Sequence, residues 1–289
     1  MRRIIPTQGL TLLFLSSLFL LVLIFHSRIP PWRTLLLRYF LLLGFLFVLK
    51  LSTEGRLKSR WTQFLHDFSP ILYVVLIYES LGDLIHYLRS DIDATLIQLD
   101  LTIFGVHPTL WMERWIVPWL TDLMSFFYVS YYFLPVTLVV LLYLKKKNPE
   151  FNESIFVLTF GYYLSFVGYI LFPAIGPRFT LAPLQSVPLE GSFLTDLVRD
   201  TLNYLEHNKR DCMPSGHTQI ALMVLYLAYR YERILFYLYL PIICGLILST
   251  VYLRYHYVVD LFAGAVAAFG CILVAPRIYG YWKEEREVS

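Results

Sequence analysis

The chain has 289 residues, of which 57% are hydrophobic and 17% aromatic, while only 16% are charged. An ordinary soluble domain has about 25% charged residues, because polar groups must cover its surface. The composition therefore excludes a single water-soluble globule, and three cysteines are too few for a disulfide scaffold. A formal net charge of +3 is too small to indicate nucleic-acid binding. What remains is a multi-pass membrane protein.

Apolar runs long enough to cross a bilayer predict an all-α integral membrane fold with about eight transmembrane helices. Two of the runs are interrupted by polar residues, Pro70–Tyr87 and Pro214–Tyr229. The first run is expected to stay uncleaved, because no small-residue signal-peptidase site follows it. The six continuous runs are Leu10–Phe25, Thr34–Leu51, Thr121–Leu144, Ser154–Phe172, Ile234–Leu253 and Tyr257–Ala275.

Eight spans place both termini on one side of the membrane, and the basic residues indicate which side. The termini and the loops on their side carry 14 lysines and arginines, whereas the loops of the other side carry nine. The positive-inside rule therefore predicts cytoplasmic termini. Loops that join odd-numbered spans to even-numbered ones then face the periplasm, the lumen or the cell exterior.

Two long loops lie on this non-cytoplasmic side. Asp91–Leu120 is predicted to be an amphipathic interfacial helix, because Trp111, Trp115 and Trp119 are spaced four apart. Pro173–Met213 contains a short helical pattern near Phe193–His207. We divide the chain, as one membrane domain overall, into N-terminal spans with the interfacial helix (1–120), a helical core that holds the motifs described next (121–276) and a cytoplasmic tail (277–289).

The segment Cys212-Met-Pro-Ser-Gly-His-Thr218 stands where a loop becomes an apolar helix. Ser215, Gly216 and His217 offer a hydroxyl, close backbone N–H groups and an imidazole at a helix N-terminus, which is the composition of an anion site. An ordinary N-cap beside a surface histidine is the alternative interpretation of this segment alone.

A second segment, Ser249–Asp260, ends one span and opens the next. His256 and Asp260 are four apart, so the carboxylate can bind one ring nitrogen and leave the other as a nucleophile. Arg254 supplies a permanent cation suited to phosphate oxygens. His217 and His256 are separated by two spans, which returns the chain to the same membrane face. Arg178, which follows Gly176-Pro177 just after another span, reaches that face too.

These motifs resemble the PAP2 (type 2 phosphatidic acid phosphatase) superfamily over about Phe172–Gly264. The resemblance implies a PAP2-type helical core in which His256 attacks phosphorus, Asp260 orients it and His217 protonates the leaving oxygen. It implies that Arg178, Arg254, Ser215 and the Gly216 amide hold the phosphoryl oxygens. The implied partners are a lipid phosphate donor and an alcohol or sphingoid lipid acceptor. No cofactor and no metal are implied.

The sequence departs from the usual motifs of the superfamily at two points, and at both it resembles an inositol phosphorylceramide synthase-like branch. Only Gly176-Pro177-Arg178 stands where the superfamily has Lys-x6-Arg-Pro, and Thr250 stands where the third motif has arginine. The segments Leu99–Thr109 and Tyr128–Pro135 also resemble that branch, which extends the weaker resemblance back to about Asp100.

Three functions compete on this sequence: a lipid phosphotransferase, a lipid phosphate phosphatase with water as acceptor, and a non-enzymatic lipid transporter or scaffold. An acceptor pocket would separate the first two. Glu79, Asp83 and His86 are spaced to share one helical face, and with Tyr128 they are the candidates for that pocket. The alternative for the three is a structural network with Arg89 or a tyrosine.

Overall fold

The computed structural model describes residues 6–54, 60–205 and 207–287, and within these ranges the chain is all helical. Of the cations behind the predicted topology, Arg2, Arg3, Arg56 and Lys58 lie outside the described residues. Short 3₁₀ turns occupy His26–Arg28, Met112–Trp115 and Ala182–Leu184. The α-helices are α1 (Pro6–Ile24), α2 (Trp32–Glu54), α3 (Arg60–Gly82), α4 (Ile85–Leu88), α5 (Asp93–Phe104), α6 (Pro108–Trp111), α7 (Pro118–Leu144), α8 (Asn148–Leu171), α9 (Pro177–Thr180), α10 (Thr195–Leu205), α11 (Gly216–Tyr231), α12 (Arg233–Tyr252) and α13 (Val258–Glu287).

Seven of the described helices are long and apolar enough to cross a membrane, which confirms the predicted membrane fold class: α1, α2, α3, α7, α8, α12 and α13. The eighth predicted span corresponds to α11, which has 16 residues and packs among α7, α8, α12 and α13. The bounds Pro70–Tyr87 predicted for the third span are wrong. Pro70 lies inside α3, and the helix ends at Gly82.

The predicted interfacial helix is not one helix. Gly105 ends α5 in the left-handed conformation (φ 70°), and Pro108 and Pro118 then begin new helices. Trp111 and Trp115 stack edge to face, 4.3 Å between ring centroids, whereas Trp119 is already in α7. The tryptophans are exposed as expected, but they lie on three separate elements, α6, the following 3₁₀ turn and α7, which prevents a continuous aromatic stripe.

One hydrophobic core runs through all eight long helices, with α11 near its centre. The helices approach α11 closely where a neighbour has no side chain. Gly168 of α8 lies against the Pro214 ring, and Gly264 of α13 lies against the Ser215 carbonyl; a Cβ at either position would come within 2.4 Å of those atoms. These contacts fix the start of α11 between α8 and α13. The division of the chain at residue 120 stays a prediction.

The predicted helix near Phe193–His207 corresponds to α10, whose first turn is capped by a buried carboxylate. Asp122 of α7 accepts backbone N–H groups from Ser192, Phe193, Leu194 and Thr195.

Toward the C-terminus, α13 continues to Glu287, so the predicted tail begins as helix, and residues 288–289 lie outside the described part.

Candidate active site

His256 lies in a tight turn between α12 and α13. Arg254 adopts the left-handed conformation (φ 65°), and the backbone N–H groups of Tyr255 and His256 both donate to the Thr250 carbonyl. This folds the chain back over the end of α12 and points the imidazole into the protein, where only 2% of the residue is exposed. The predicted helical spacing of His256 and Asp260 is therefore wrong in one respect: His256 precedes α13 and is not part of it.

The Nδ1 atom of His256 faces two acceptors. It lies 3.1 Å from the Cys212 carbonyl oxygen, with hydrogen-bond geometry, and 3.1 Å from Asp260 Oδ1 as a close charged neighbour. The other oxygen of Asp260 accepts the Tyr257 N–H and the Cys212 thiol, 2.8 Å away. A proton is thus held on Nδ1, which leaves the lone pair on Nε2.

The surroundings of His256 favour its charged form. Burial lowers the pKa of the imidazole, but the carboxylates of Asp260 and Asp211 and the Cys212 carbonyl outweigh that effect, so the pKa is raised above its ordinary value. A protonated imidazole is no nucleophile. The same groups that orient His256 therefore set the pH below which it cannot attack.

His217, in the first turn of α11, completes the pair. Its Nδ1 lies 3.1 Å from His256 Nε2. Tyr128 and Tyr131 contact its ring, with centroids 4.7 and 4.3 Å away. The Nε2 atom of His217 is buried and has no hydrogen-bond partner among the described residues. His256 is therefore held by directional bonds, whereas His217 is held mainly by ring contacts.

The helix start beside His217 is built from the predicted residues. Ser215 caps α11, since its hydroxyl oxygen accepts the Thr218 N–H, and its own N–H donates to the Asp260 carbonyl. Gly216 lies under the Tyr169 hydroxyl, where a Cβ would come within 2.2 Å. Neither Ser215 nor Gly216 is among the residues that line the cavity described next.

Both histidines open into a cavity of about 280 Å³, which we call the histidine cavity. Arg178 lies on its wall after the Gly176 turn (φ 89°), as the sequence predicts for a cation at this face. The Arg178 guanidinium donates to the Tyr255 hydroxyl (3.3 Å) and lies over the Tyr255 and Phe179 rings. Its remaining N–H groups can bind an anion in the cavity.

The segment Asn208–Asp211 forms another part of this wall and was missed by the sequence interpretation. Lys209 brings a second cation, with its ammonium 5.8 Å from the centre of the Phe179 ring. The segment is anchored on both sides: Asp211 accepts from the Tyr78 hydroxyl (2.7 Å), and Arg210 pairs with Asp91 (2.6 Å). A charged run just before Cys212 is the signal that could have found it.

Arg254 does not reach the histidine cavity, contrary to the sequence-based expectation. Its left-handed backbone turns the side chain toward Glu113 (2.8 Å), Gln185 (3.0 Å) and the Val187 carbonyl (2.6 Å). There it lines a second cavity of about 500 Å³, the outer cavity, together with Arg178 and Arg199. Arg178 is the residue that the two cavities share.

The common helical face predicted for Glu79, Asp83 and His86 is wrong, because α3 ends at Gly82, and their role as an acceptor pocket stays a prediction. Asp83 pairs with Arg38 (2.8 Å) and His207 (2.9 Å), so it helps to hold the loop before Asn208. His86 is exposed beside Tyr87. None of the three lines the histidine cavity, whereas the fourth candidate, Tyr128, does.

Cys212, His256 and Asp260 are the described residues whose side chains could together hold a metal ion, since their ligand atoms all lie within 4.8 Å of one another. The same atoms already satisfy one another. The thiol donates to the carboxylate, and the imidazole nitrogen bonds the Cys212 carbonyl. This network explains the cluster as a device that orients His256.

The model of the PAP2 superfamily matches residues 94–274, from α5 to α13. This is more than half of the chain. The protein belongs to the PAP2 superfamily. No curated protein and no solved structure gives a significant match. Membership of the PAP2 superfamily indicates a phosphatase or phosphotransferase that acts on lipid phosphates. The match supports the superfamily alone, and the inositol phosphorylceramide synthase-like branch stays a prediction.

Proposed function

We propose that this PAP2 protein is a membrane-embedded phosphotransferase that moves a phosphoryl or phosphodiester group from a lipid donor through a phosphohistidine on His256. One observation carries the proposal: His256 Nε2 and His217 Nδ1 face each other at 3.1 Å in a cavity that also presents Arg178 and Lys209. Nucleophile, acid and anion-binding cations thus share one space.

In the first step, the Nε2 lone pair of His256 forms a bond to phosphorus, and the bond from phosphorus to the leaving oxygen breaks. That oxygen takes the proton of His217. Asp260 and the Cys212 carbonyl hold Nδ1 of His256, so the imidazole carries the new bond without turning. Arg178 and Lys209 bind the phosphoryl oxygens as charge builds up on them.

In the second step, an acceptor hydroxyl gives its proton to His217 and attacks phosphorus, and the bond between phosphorus and His256 Nε2 breaks. Both histidines then return to their starting protonation states. Ser215 and Gly216 stay predicted ligands of the phosphoryl group, through the N-terminus of α11, whose dipole favours an anion.

The closed histidine pair must open to admit the substrate. Two nitrogens 3.1 Å apart leave no room for a phosphorus atom between them. His217 is the ring that can move, because His256 alone is fixed by Asp260 and the Cys212 carbonyl. Substrate entry therefore exchanges one hydrogen bond for contacts with Arg178 and Lys209.

The outer cavity supports transfer over hydrolysis. It offers about 500 Å³ of space, and Arg178 lines both this cavity and the histidine cavity, so a head group or acceptor alcohol could be held there close to phosphorus. The resemblance to the inositol phosphorylceramide synthase-like branch points the same way. Hydrolysis is the second candidate, favoured by Asn203, Asn208 and Asp211 on the wall of the histidine cavity, since these groups can bind water.

The test is incubation of purified protein with a panel of radiolabelled phospholipids, with and without added alcohol acceptors. We expect an acid-labile phosphoenzyme in the wild type and none in His256→Ala, and a labelled transfer product that depends on the acceptor. Release of free phosphate at the same rate with and without acceptors would establish the phosphatase. Absence of any phosphoenzyme or product would overturn both.

We also propose that the histidine cavity faces the non-cytoplasmic side. Phe193 is 81% exposed near the cavities, and Lys146 is exposed in the loop at the other end of the bundle. In a Cys244→Ser background, a membrane-impermeant maleimide should label Phe193→Cys in intact cells and Lys146→Cys only after permeabilisation. The reverse pattern would invert the topology.

A further inference from the structure

The short helix α5 carries two buried carboxylates that form no ion pair within the described residues. Asp93 is 5% exposed and Asp100 is 2% exposed, although other residues of this helix, such as Ile103, are exposed. Burying a carboxylate is costly unless its oxygens are hydrogen-bonded. The partners that satisfy them are therefore informative.

Asp93 joins the turn before Arg178 to the residue after His256. Its oxygens accept the N–H groups of Ile175 (3.0 Å) and Gly176 (2.9 Å) and the hydroxyl of Tyr257 (2.8 Å). The turn is pressed against the His256 segment, since a Cβ on Gly176 would come within 2.6 Å of the Tyr255 carbonyl. Asp93 thus bonds the turn before Arg178 and, through Tyr257, the segment that contains His256.

Asp100 caps a helix to which it does not belong. Its two oxygens accept the N–H groups of Val258 (3.0 Å) and Val259 (2.9 Å), which open α13 directly after the His256 turn. Asp93 and Asp100 are two helical turns apart, about 10 Å on one face of α5. Leu96, between them, packs with Ala174, Cys212 and Tyr257.

We infer that α5 is a rigid spacer and that Asp93 and Asp100 are positioning residues, which set the separation between the Arg178 guanidinium and the His256 imidazole. This inference rests on the proposed function. A cation must reach the phosphoryl oxygens while Nε2 is in line with phosphorus, and a misplacement of about 1 Å can cost 100-fold in rate. One helix that bonds both segments sets this distance directly.

The test measures phosphoenzyme formation by Asp93→Asn, Asp100→Asn and the double variant. The probes are radiolabelled phosphatidic acid and phosphatidylglycerol in micelles. In each variant the asparagine oxygen can still accept one of the hydrogen bonds that the carboxylate accepted. The NH₂ group that replaces the other oxygen is a donor and cannot accept from the backbone N–H that faces it. We expect each single variant to form phosphoenzyme at full stoichiometry about 100-fold more slowly. Asp100→Asn should leave the apparent KM unchanged, whereas Asp93→Asn should raise it.

The double variant should lose less than the product of the two single losses, because one broken anchor already frees the spacer. Asp122→Asn is the matched control: it is another buried carboxylate that accepts backbone N–H groups, but it caps α10 and touches neither segment. Its rate constant should stay close to that of the wild type.

The fraction of protein molecules that form phosphoenzyme distinguishes a positioning role from an effect on folding. Variants with fewer active molecules but an unchanged rate constant would show a merely structural role and overturn the inference. So would equal slowing in Asp122→Asn. Wild-type rates in both single variants would overturn it while leaving the proposed function intact, whereas a wild type that forms no phosphoenzyme from any donor would overturn both.

Discussion

The histidine cavity and the opposite end of the helical bundle use their charged residues in different ways. At the end away from the histidines, Lys145 and Lys147 both bind the buried carboxylate of Glu232, and Arg230 binds Glu153. At the histidine end, Arg254 and Arg210 are also paired, with Glu113 and Asp91, but neither lines the histidine cavity. The two cations that do line it, Arg178 and Lys209, lie against aromatic rings, and the buried carboxylates around the histidines bind backbone N–H groups and a thiol.

This difference separates a structural end from a reactive one. A cation that is paired with a carboxylate holds the local structure in place and attracts an incoming anion only weakly. A cation that lies on an aromatic ring is not neutralised, so it can still bind an incoming anion. Carboxylates that bind backbone groups shape the cavity without cancelling the charge of its cations. The comparison predicts which substitutions stop turnover and which change only stability.

The largest contrast is expected between His256→Ala and Glu232→Ala. Loss of the nucleophile should lower the turnover rate by about 10⁴-fold or more, with no acid-labile phosphoenzyme. Glu232→Ala should keep the wild-type rate, because it lies at the opposite end. Rapid quench of both variants with labelled donor measures this. Turnover by His256→Ala near the wild-type rate would refute the mechanism.

His217→Ala should lower the rate by about 10²–10⁴-fold for donors with a poor leaving group and far less for donors with a good one. A departing oxygen that is already a weak base needs no proton. Rates for alkyl and aryl phosphate esters of matched size give the ratio. An equal loss for both classes would assign His217 to binding instead of proton transfer.

Arg178→Ala should lower the rate by about 10²–10³-fold, and Lys209→Ala by less, since a lysine offers a point charge without a planar fork. Arg230→Ala is the matched control, because it removes the same side chain where Glu153 already neutralises it. If Arg230→Ala slowed phosphoenzyme formation as much as Arg178→Ala, the proposed contrast between the ends would be wrong.

The pH profile sharpens the comparison further. Neutral His256 attacks, and its carboxylate neighbours outweigh burial to raise its pKa, so phosphoenzyme formation should rise with pH through a midpoint above about 6.5. Asp260→Asn removes a charge that favours the imidazolium and should move that midpoint to lower pH. Single-turnover rates between pH 5 and about 9 measure it. An unmoved midpoint would assign the titration to another group.

The smallest effect should be that of Glu232→Gln, about 1 kcal/mol of stability, since Lys145 and Lys147 are only half-buried. Burial opposes the charge of Glu232, but the two lysines lower its pKa below the ordinary 4.5. The stabilisation is therefore present above pH 4.5 and is lost as the pH falls through the lower folded value. Melting of both proteins across this range should show the difference vanish at acid pH.

The sequence predicts the meeting of His217 and His256, because two spans must return the chain to one membrane face. It also predicts that Arg178 reaches this face. It fails at Arg254, because a left-handed backbone at a non-glycine residue gives no sequence signal, and that conformation decides where the guanidinium points.

The other two misses have different causes, one in a helix end and one in a long-range contact. The common face of Glu79, Asp83 and His86 requires a helix that in fact ends at Gly82, and no proline marks that end. In the sequence, Asp100 is a single acidic residue in an apolar helical stretch. Its role as a cap depends on α13, which begins 158 residues later. Such caps depend on tertiary contacts and not on local pattern.

The shortness of α11 has a consequence for the membrane itself. Its 16 residues span about 24 Å, whereas the hydrocarbon layer of a typical bilayer is about 30 Å thick. In a bilayer of that thickness, a position of Glu232 at one surface would leave His217 several ångströms below the opposite headgroups. In that arrangement, the bilayer would have to thin locally, or the lipid phosphate would have to sink, for phosphate and histidine to meet. We therefore expect the rate of phosphoenzyme formation to depend on the acyl-chain length of the lipids, because a thin bilayer brings the phosphate closer to the histidines and a thick one holds it farther away.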